Sequence, residues 1–255
     1  MKHITKKSLL IFGLALLLAQ LLFANIPGGG TLLINNATGS GTGSGPVSVN
    51  NSSTLGGSGT IAGAVNVYAG GALATGNLLG ILIISNNLTL AAGSTTFMQL
   101  QAAPPTNDAV KVGGTFTAGG ALNVTNSSGT DYTAGESFKL FTAGNYAGSF
   151  ASLVLPPLTG NLVWNTNYLK KSGTVSVAVY QPPVIEALAV NASGLVISGT
   201  GGIAGWMYYV LATTNLTIPR WTPVATNQFD ANGNFNFTNV INASAPQTFY
   251  RLQLQ

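Results

Sequence analysis

Few side chains in this sequence are equipped for chemistry, and their spacing decides what they can do. The carboxylates are Asp108, Asp131, Glu136, Glu186 and Asp230; the one histidine is His3, and cysteine is absent. General acid–base work and glycoside hydrolysis need two carboxylates held a few ångströms apart. Only Asp131 and Glu136 lie close in sequence, and Thr133-Ala134-Gly135 between them reads as a turn. That pair is therefore read as a solvated turn rather than a catalytic dyad. His3 lies in an N-terminal leader, so the rest of the chain has no imidazole base, no Ser–His arrangement and no thiol. No transition-metal site and no cofactor is expected. Asp230-Ala231-Asn232-Gly233-Asn234 faintly resembles a calcium loop, but calcium takes roughly six to eight oxygens, several of them from carboxylates. One carboxylate is too few, and Asn232-Gly233 between alternating runs is a hairpin signal. Gly28-Gly29-Gly30 and Gly56-Gly57-Ser58-Gly59 are followed by neither Gly-Lys-Ser/Thr nor a helix, so they read as corners and not as phosphate loops. No catalytic, cofactor-binding or metal-binding residue is expected, and the chain reads as non-enzymatic.

The remaining candidates are aromatic. Trp206, Tyr208, Tyr209, Trp221, Phe249 and Tyr250 fall in the C-terminal part. Trp206, Tyr208 and Trp221 are the candidate ligand platform, of the kind that stacks on sugars. The competing reading is that a small domain spends its large rings on its own core. Trp206 and Tyr208 share strand parity, and Tyr209 points the other way. Thr115 and Thr117 are the one tidy hydroxyl pair, too short an array to support ice or glycan binding.

The elements that position these residues are strands. The chain has 33 glycines, 46% hydrophobic residues and only 5% charged residues, so its polar faces must come from Asn, Thr, Ser and Gly. Positions 1–24 have the layout of a signal peptide: Lys2, Lys6 and Lys7, then the apolar run Leu9–Phe23, then Ala24 before the cut. Export, to the extracellular space or the bacterial cell surface with the periplasm as a further stop, is the expectation. The apolar run is short against the roughly 20 residues that span a bilayer, and no later stretch is long enough, so no integral membrane segment is expected after cleavage. Past Ala24 there are six basic and five acidic residues. A nearly neutral chain lacks the clustered Lys and Arg that nucleic acid needs, so no nucleic-acid partner is expected. Without cysteine there are no disulfide staples, and stability must come from strand stacking and core burial.

An internal repeat carries the organisation. Gly45-Pro46-Val47-Ser48-Val49-Asn50 is echoed by Gly63-Ala64-Val65-Asn66-Val67-Tyr68, and at the same offset Thr54-Leu55 is echoed by Ala72-Leu73. A rung of that length with two or three short strands fits a parallel coil better than hairpins. Further strands are expected at 81–85, 88–90, 95–100, 109–112, 115–117, 121–125, 137–142, 162–165 and 174–180, with period-2 alternation in Val110/Val112, Leu122/Val124, Phe138/Leu140 and Val175/Val177/Val179. Gln181-Pro182-Pro183 marks a boundary. Six strands are expected beyond it, at 185–190, 194–199, 206–213, 222–228, 234–239 and 247–254. The fold class is all-β: a right-handed parallel β-solenoid-like domain over 25–181, followed by a small antiparallel β-sandwich over 183–255.

The stretch from Gly28 to about Val179 resembles the autotransporter-associated β-strand repeat proteins, passenger-type β-helices of bacterial surfaces. Gly29-Gly30-Thr31-Leu32-Leu33-Ile34, Ser53-Thr54-Leu55-Gly56-Gly57-Ser58-Gly59-Thr60-Ile61, Leu88-Thr89-Leu90-Ala91-Ala92-Gly93-Ser94-Thr95 and Thr133-Ala134-Gly135-Glu136-Ser137-Phe138-Lys139-Leu140-Phe141 carry the likeness. The segment from Leu195 to Leu254 is similar to a C-terminal module of large secreted proteins of Verrucomicrobia-like bacteria. There Tyr208-Tyr209-Val210-Leu211-Ala212-Thr213-Thr214-Asn215-Leu216, Trp221 and Phe249-Tyr250-Arg251 fit the pattern. The first resemblance implies a surface β-helix and the second a β-sandwich appendage without chemistry. The stretch from Val184 to Gln255 is too short to supply the membrane barrel of an autotransporter, whose strands take about 10 residues each, so self-translocation is not implied.

Together these readings predict an exported, non-enzymatic structural or adhesive protein, held at the surface or released, with a carbohydrate-binding module as the alternative. Cell-surface glycans or other surface proteins are the expected partners. The open first rung near Gly29 is expected to present a free sheet edge for edge-to-edge self-association.

Overall fold

A computed structural model describes residues 9–10, 24–76, 79–192, 194–241, 244 and 246–254. Apart from Leu9, Leu10 and Ala24, the expected signal peptide lies outside the described residues. Among the described residues the fold is all-β, with one short helical turn at Leu169–Ser172.

The N-terminal part is built from three sheets whose strands run parallel, except that Thr106–Asn107 pairs antiparallel beside Leu100 and Gln101 in the second. The first takes Ala24–Ile26, Val47–Val49, Val65–Val67, Leu88–Leu90, Thr115–Ala118 and Asn145–Gly148. The second takes Thr31–Ile34, Thr54–Gly57, Ala72–Ala74, Thr95–Gln101, Ala121–Asn126 and Ser152–Val154. The third takes Thr60–Ile61, Ile81–Ile84, Ala109–Val112 and Phe141–Thr142. From Val47 to Val112 the chain visits the three sheets in one cyclic order, first, second, third, so each strand pairs with its counterpart from the preceding circuit.

The repeat seen in the sequence is the register itself. Val47 lies opposite Val65, Ser48 opposite Asn66 and Val49 opposite Val67, while Thr54 meets Ala72 and Leu55 meets Leu73. That spacing belongs to one circuit only. The next steps in the same column run from Val65 to Leu88, from Leu88 to Phe116 and from Phe116 to Tyr146, each longer than the one before. Longer circuits accompany larger core side chains. Val47, Val65 and Leu88 are fully buried in one column, and Phe116 continues it. Phe116 stacks on Phe141 at 4.2 Å between ring centroids, with Phe150 beside both.

Corner residues must let successive circuits approach. A Cβ on Gly63 would sit 1.9 Å from the Gly45 carbonyl oxygen, one circuit below, so only glycine fits there.

The expected strand at 137–142 divides at Leu140. Ser137–Lys139 pairs antiparallel with Thr174–Ser176, whereas Phe141–Thr142 joins the third parallel sheet. The backbone N–H groups of Leu140 and Phe141 both donate to the Gly173 carbonyl, which turns the chain between the two sheets. Asn145–Gly148 and Ser152–Val154 are strands that the sequence reading passed over. Leu9–Leu10, within the expected signal peptide, pairs in parallel with Leu32 and Leu33, so the edge near Gly29 is free only once that segment has been removed.

The molecule divides into two compact units, Met1–Gly160 with Tyr168–Val177, and Asn161–Asn167 with Ala178–Gln255. The second unit takes in Asn161–Asn167 from upstream of the expected boundary. Tyr180 donates its backbone N–H to the Asn161 carbonyl, and the Asn165 side-chain amide donates to that of Ala204. This unit holds two antiparallel sheets of three strands. One runs Val184–Asn191, Gly194–Thr200, Phe235–Asn239; the other runs Thr222–Gln228, Met207–Thr213, Phe249–Leu254. Both contribute to one cluster of Ile197, Tyr208, Val210, Phe229, Phe235 and Phe237. Asn232-Gly233 does not make the expected hairpin between paired strands. The turn forms, with the Asp230 backbone N–H donating to the Asn234 carbonyl, but Thr222–Gln228 and Phe235–Asn239 go to different sheets. Phe229 occupies the intervening core position, and the turn serves as a link between sheets.

Candidate functional site

Most of the carboxylates have local partners, and two of them, Glu186 and Asp230, line one groove. Glu136 accepts the Thr133 backbone N–H and hydroxyl, both at 3.2 Å, and so closes the turn that separates it from Asp131. Asp131 itself is exposed. Glu186 accepts the Thr200 hydroxyl. Asp230 accepts the backbone N–H groups of Asn232 and Asn234 and the Asn234 side-chain amide. Those bonds, led by the Asn234 backbone, hold its carboxyl below the usual range. The stretch that resembles a calcium loop thus spends its carboxylate on its own turn. Among the described residues no group of three or more His, Cys, Asp or Glu could hold a metal ion.

Asp108 is the exception in burial. It is 1% exposed, and its two oxygens accept the backbone N–H groups of Gly80 and Gln99, both at 2.8 Å. Burial pushes its pKa up, against the opposing pull of those bonds. Its contacts tie the Thr95–Gln101 strand to the chain entering Ile81–Ile84. Tyr132, buried beside Phe138, has its hydroxyl pushed up to about 12 by burial and by the charge of Glu136.

The three aromatic candidates are not brought to one surface. Tyr208 is 1% exposed and packs against Phe229 at 4.6 Å and Phe235 at 5.7 Å. A ring so enclosed has no open face for a sugar, and its place in the platform gives way to a place in the core. Trp206 stands one residue before the strand Met207–Thr213, its backbone bonded to Ile203 and Phe229, and it packs half-buried against the same cluster. Trp221 lies outside that cluster, with the Arg251 guanidinium 4.6 Å from its ring centroid. The cation occupies one face of that indole.

Concave polar surface lies beside Tyr208. A groove of about 530 Å³ is lined by Glu186, Ser198, Tyr208, Asn227, Asp230 and Asn236, among others, so it brings two carboxylates to one surface. Ser198 and Asn236 are opposite each other in register, between core-facing Ile197 and Phe237 on one side and Gly199 and Phe235 on the other. Their signal in the sequence is plain alternation: the polar partners of Phe235 and Phe237 face outward together. A second groove of about 460 Å³ is lined by Thr213, Thr214, Asn215, Arg220, Thr222 and Thr248.

Polar columns also run along the parallel sheets. Asn25, Ser48, Asn66, Thr89 and Thr117 face outward in register on the first sheet. Adjacent strands in a sheet lie about 4.8 Å apart, so this column repeats at that interval. Thr117 is its member from the Thr115/Thr117 pair; Thr115 aligns instead with Asn145.

Among the described residues, no helix is long and apolar enough to cross a membrane. In comparisons with known proteins, no family model matches the chain, and no curated protein matches it.

Proposed function

We propose that this chain is an exported, non-enzymatic structural or adhesive protein of the bacterial surface or extracellular space. Its scaffold on this reading is a right-handed parallel β-solenoid of the autotransporter-associated repeat type over residues 25–181. A small antiparallel β-sandwich module follows over 183–255. The observation that carries the reading is the cyclic return of the chain to three parallel sheets in unbroken register, with apolar columns inside and Asn, Ser and Thr columns outside. Such stacking makes a stiff body whose contacts are mostly between neighbouring circuits.

The test is to express the full chain in a bacterial host, fractionate the cells and sequence the N-terminus of the recovered protein. A product beginning near Asn25, outside the cytoplasm and adhering to cell-envelope material when coated on beads, is the expected result. An uncleaved chain confined to the cytoplasm would overturn export. Release of reducing ends from a polysaccharide panel would overturn the non-enzymatic reading.

A second reading, a carbohydrate-binding module, is favoured by the polar groove at Ser198, Asn227 and Asn236, whose amides and hydroxyl suit neutral sugar hydroxyls. Binding on a glycan array that is lost in the Asn227→Ala, Asn236→Ala double variant would select it. Equal binding by that variant would discard the groove.

A further inference from the structure

The strand Val184–Asn191 is exposed at all eight positions, on both of its faces. It forms one edge of its three-stranded sheet, with Gly194–Thr200 as its partner on the inner side. Leu188 lies opposite Ile197 and Val190 opposite Leu195, so both point to the side of the sheet that carries the core. Yet Leu188 is 67% exposed and Val190 70%. An apolar shelf therefore continues the core beyond the reach of the second sheet.

Both edges of the other sheet are guarded. Thr222–Gln228 contains Pro223 and a register shift against Val210 and Leu211, and Phe249–Leu254 contains Arg251. Proline, bulges and charge are the usual means by which an edge refuses a new strand. Val184–Asn191 has no proline and no lysine; its one charge, Glu186, sits at a register shift near its start.

We propose that this edge joins the same strand of a second copy of the chain, antiparallel about a two-fold axis through Ala189. The self-complementary sequence argues for a second copy over a foreign strand. About that axis Leu188 of each copy meets Val190 of the other, Ala189 meets Ala189, and Ala187 meets Asn191. The two shelves then form one apolar patch. The small alanines at the axis let the backbones approach, and both Glu186 side chains fall outside the paired stretch. A parallel join would instead set Glu186 against Glu186. Two three-stranded sheets become one of six strands, an isologous interface. Its total area is on the order of 1,000 Å², near the lower bound for a specific contact, so the dimer is weak and concentration-dependent.

The experiment is sedimentation velocity on residues 25–255, up to roughly millimolar protein, with Leu188→Lys alongside. Because the chain has no cysteine, Ala189→Cys gives a clean report on register, with Thr217→Cys as an exposed loop control. Two pairing strands hold opposed Cα atoms about 4.5–5.5 Å apart, within disulfide reach. Expected are a monomer–dimer equilibrium for the parent chain, monomer alone for a Leu188→Lys variant of unchanged circular dichroism, and rapid disulfide dimer from Ala189→Cys but not Thr217→Cys. A parent chain that stays monomeric at every concentration would overturn the proposal. So would a dimer indifferent to Leu188→Lys, or protection from hydrogen exchange in the monomer of those Val184–Asn191 amides that point away from Gly194–Thr200, which would mean that the edge is covered within its own chain.

Discussion

At the scale of single residues, the buried Asp108 carboxylate and the corner Gly63 show how sparse chemistry is used for architecture. Asp108 presents two acceptors to two backbone donors, Gly80 and Gln99. An asparagine there can accept only one of them and turns an N–H against the other. Asp108→Asn is expected to cost about 1–3 kcal/mol, the penalty for an unsatisfied buried donor, measured by urea unfolding at neutral pH. The pH dependence has a definite sign. The folded-state pKa is raised above the ordinary 3.8, so the folded chain holds the proton more tightly than the unfolded chain. The stability from this group is complete below 3.8 and is lost as pH rises through the raised value. The gap between parent and Asp108→Asn should therefore widen as pH falls toward 3.8; a gap that narrows would contradict burial as the dominant influence. Gly63→Ala tests the corners. Its methyl would meet the Gly45 carbonyl at 1.9 Å, and the forced backbone shift should cost roughly 1–3 kcal/mol, read as a lowered urea midpoint.

At the scale of elements, most strands were legible because alternation survives wherever one face is buried. Leu88–Leu90 and Ala109–Val112 bury alternate positions and fall at their expected bounds; Leu162–Asn165 and Thr222–Gln228 also fall at theirs, read from residue type rather than from a buried face. The register of one circuit was legible too, since Val47 to Val65 returns after the minimum of turn residues. Later circuits hid theirs because each step in the column is longer than the one before, so no fixed offset remained to find. Asn145–Gly148 and Ser152–Val154 escaped notice because neither buries an alternating face. The groove at Ser198 and Asn236 was hidden for a different reason: it depends on cross-strand partners that only the antiparallel register brings together. Tyr208 misled through its type, since a tyrosine in a strand looks the same in sequence whether its ring faces sugar or core. The stacking itself is testable at Leu73, fully buried between Leu55 and Thr96 in adjacent circuits. Leu73→Ala should lower stability by about 2–5 kcal/mol by urea unfolding. A cost under about 1 kcal/mol would mean that the column is not packed as described.

At the scale of the whole molecule, the question is what replaces charge in a chain with only 5% charged residues. The six cations and five anions past Ala24 nearly cancel. The carboxylates bind N–H and O–H groups of neighbouring residues, as Glu136, Glu186 and Asp230 show. Stability then rests on buried columns and on backbone bonds between circuits, neither of which is screened by salt. A fold held by surface ion pairs would lose or gain stability as ionic strength changes; this one has little for salt to act on. The thermal midpoint of residues 25–255 should stay within about 2 °C between low and near-physiological sodium chloride, a change equivalent to under ~1 kcal/mol for a chain of this size. Calorimetry at dilute protein, where the dimer is dissociated, gives the cleanest reading. A shift of several degrees would show that charges contribute at long range after all, and it would place Lys170 and Lys171, adjacent in the helical turn Leu169–Ser172, first among the residues to neutralise.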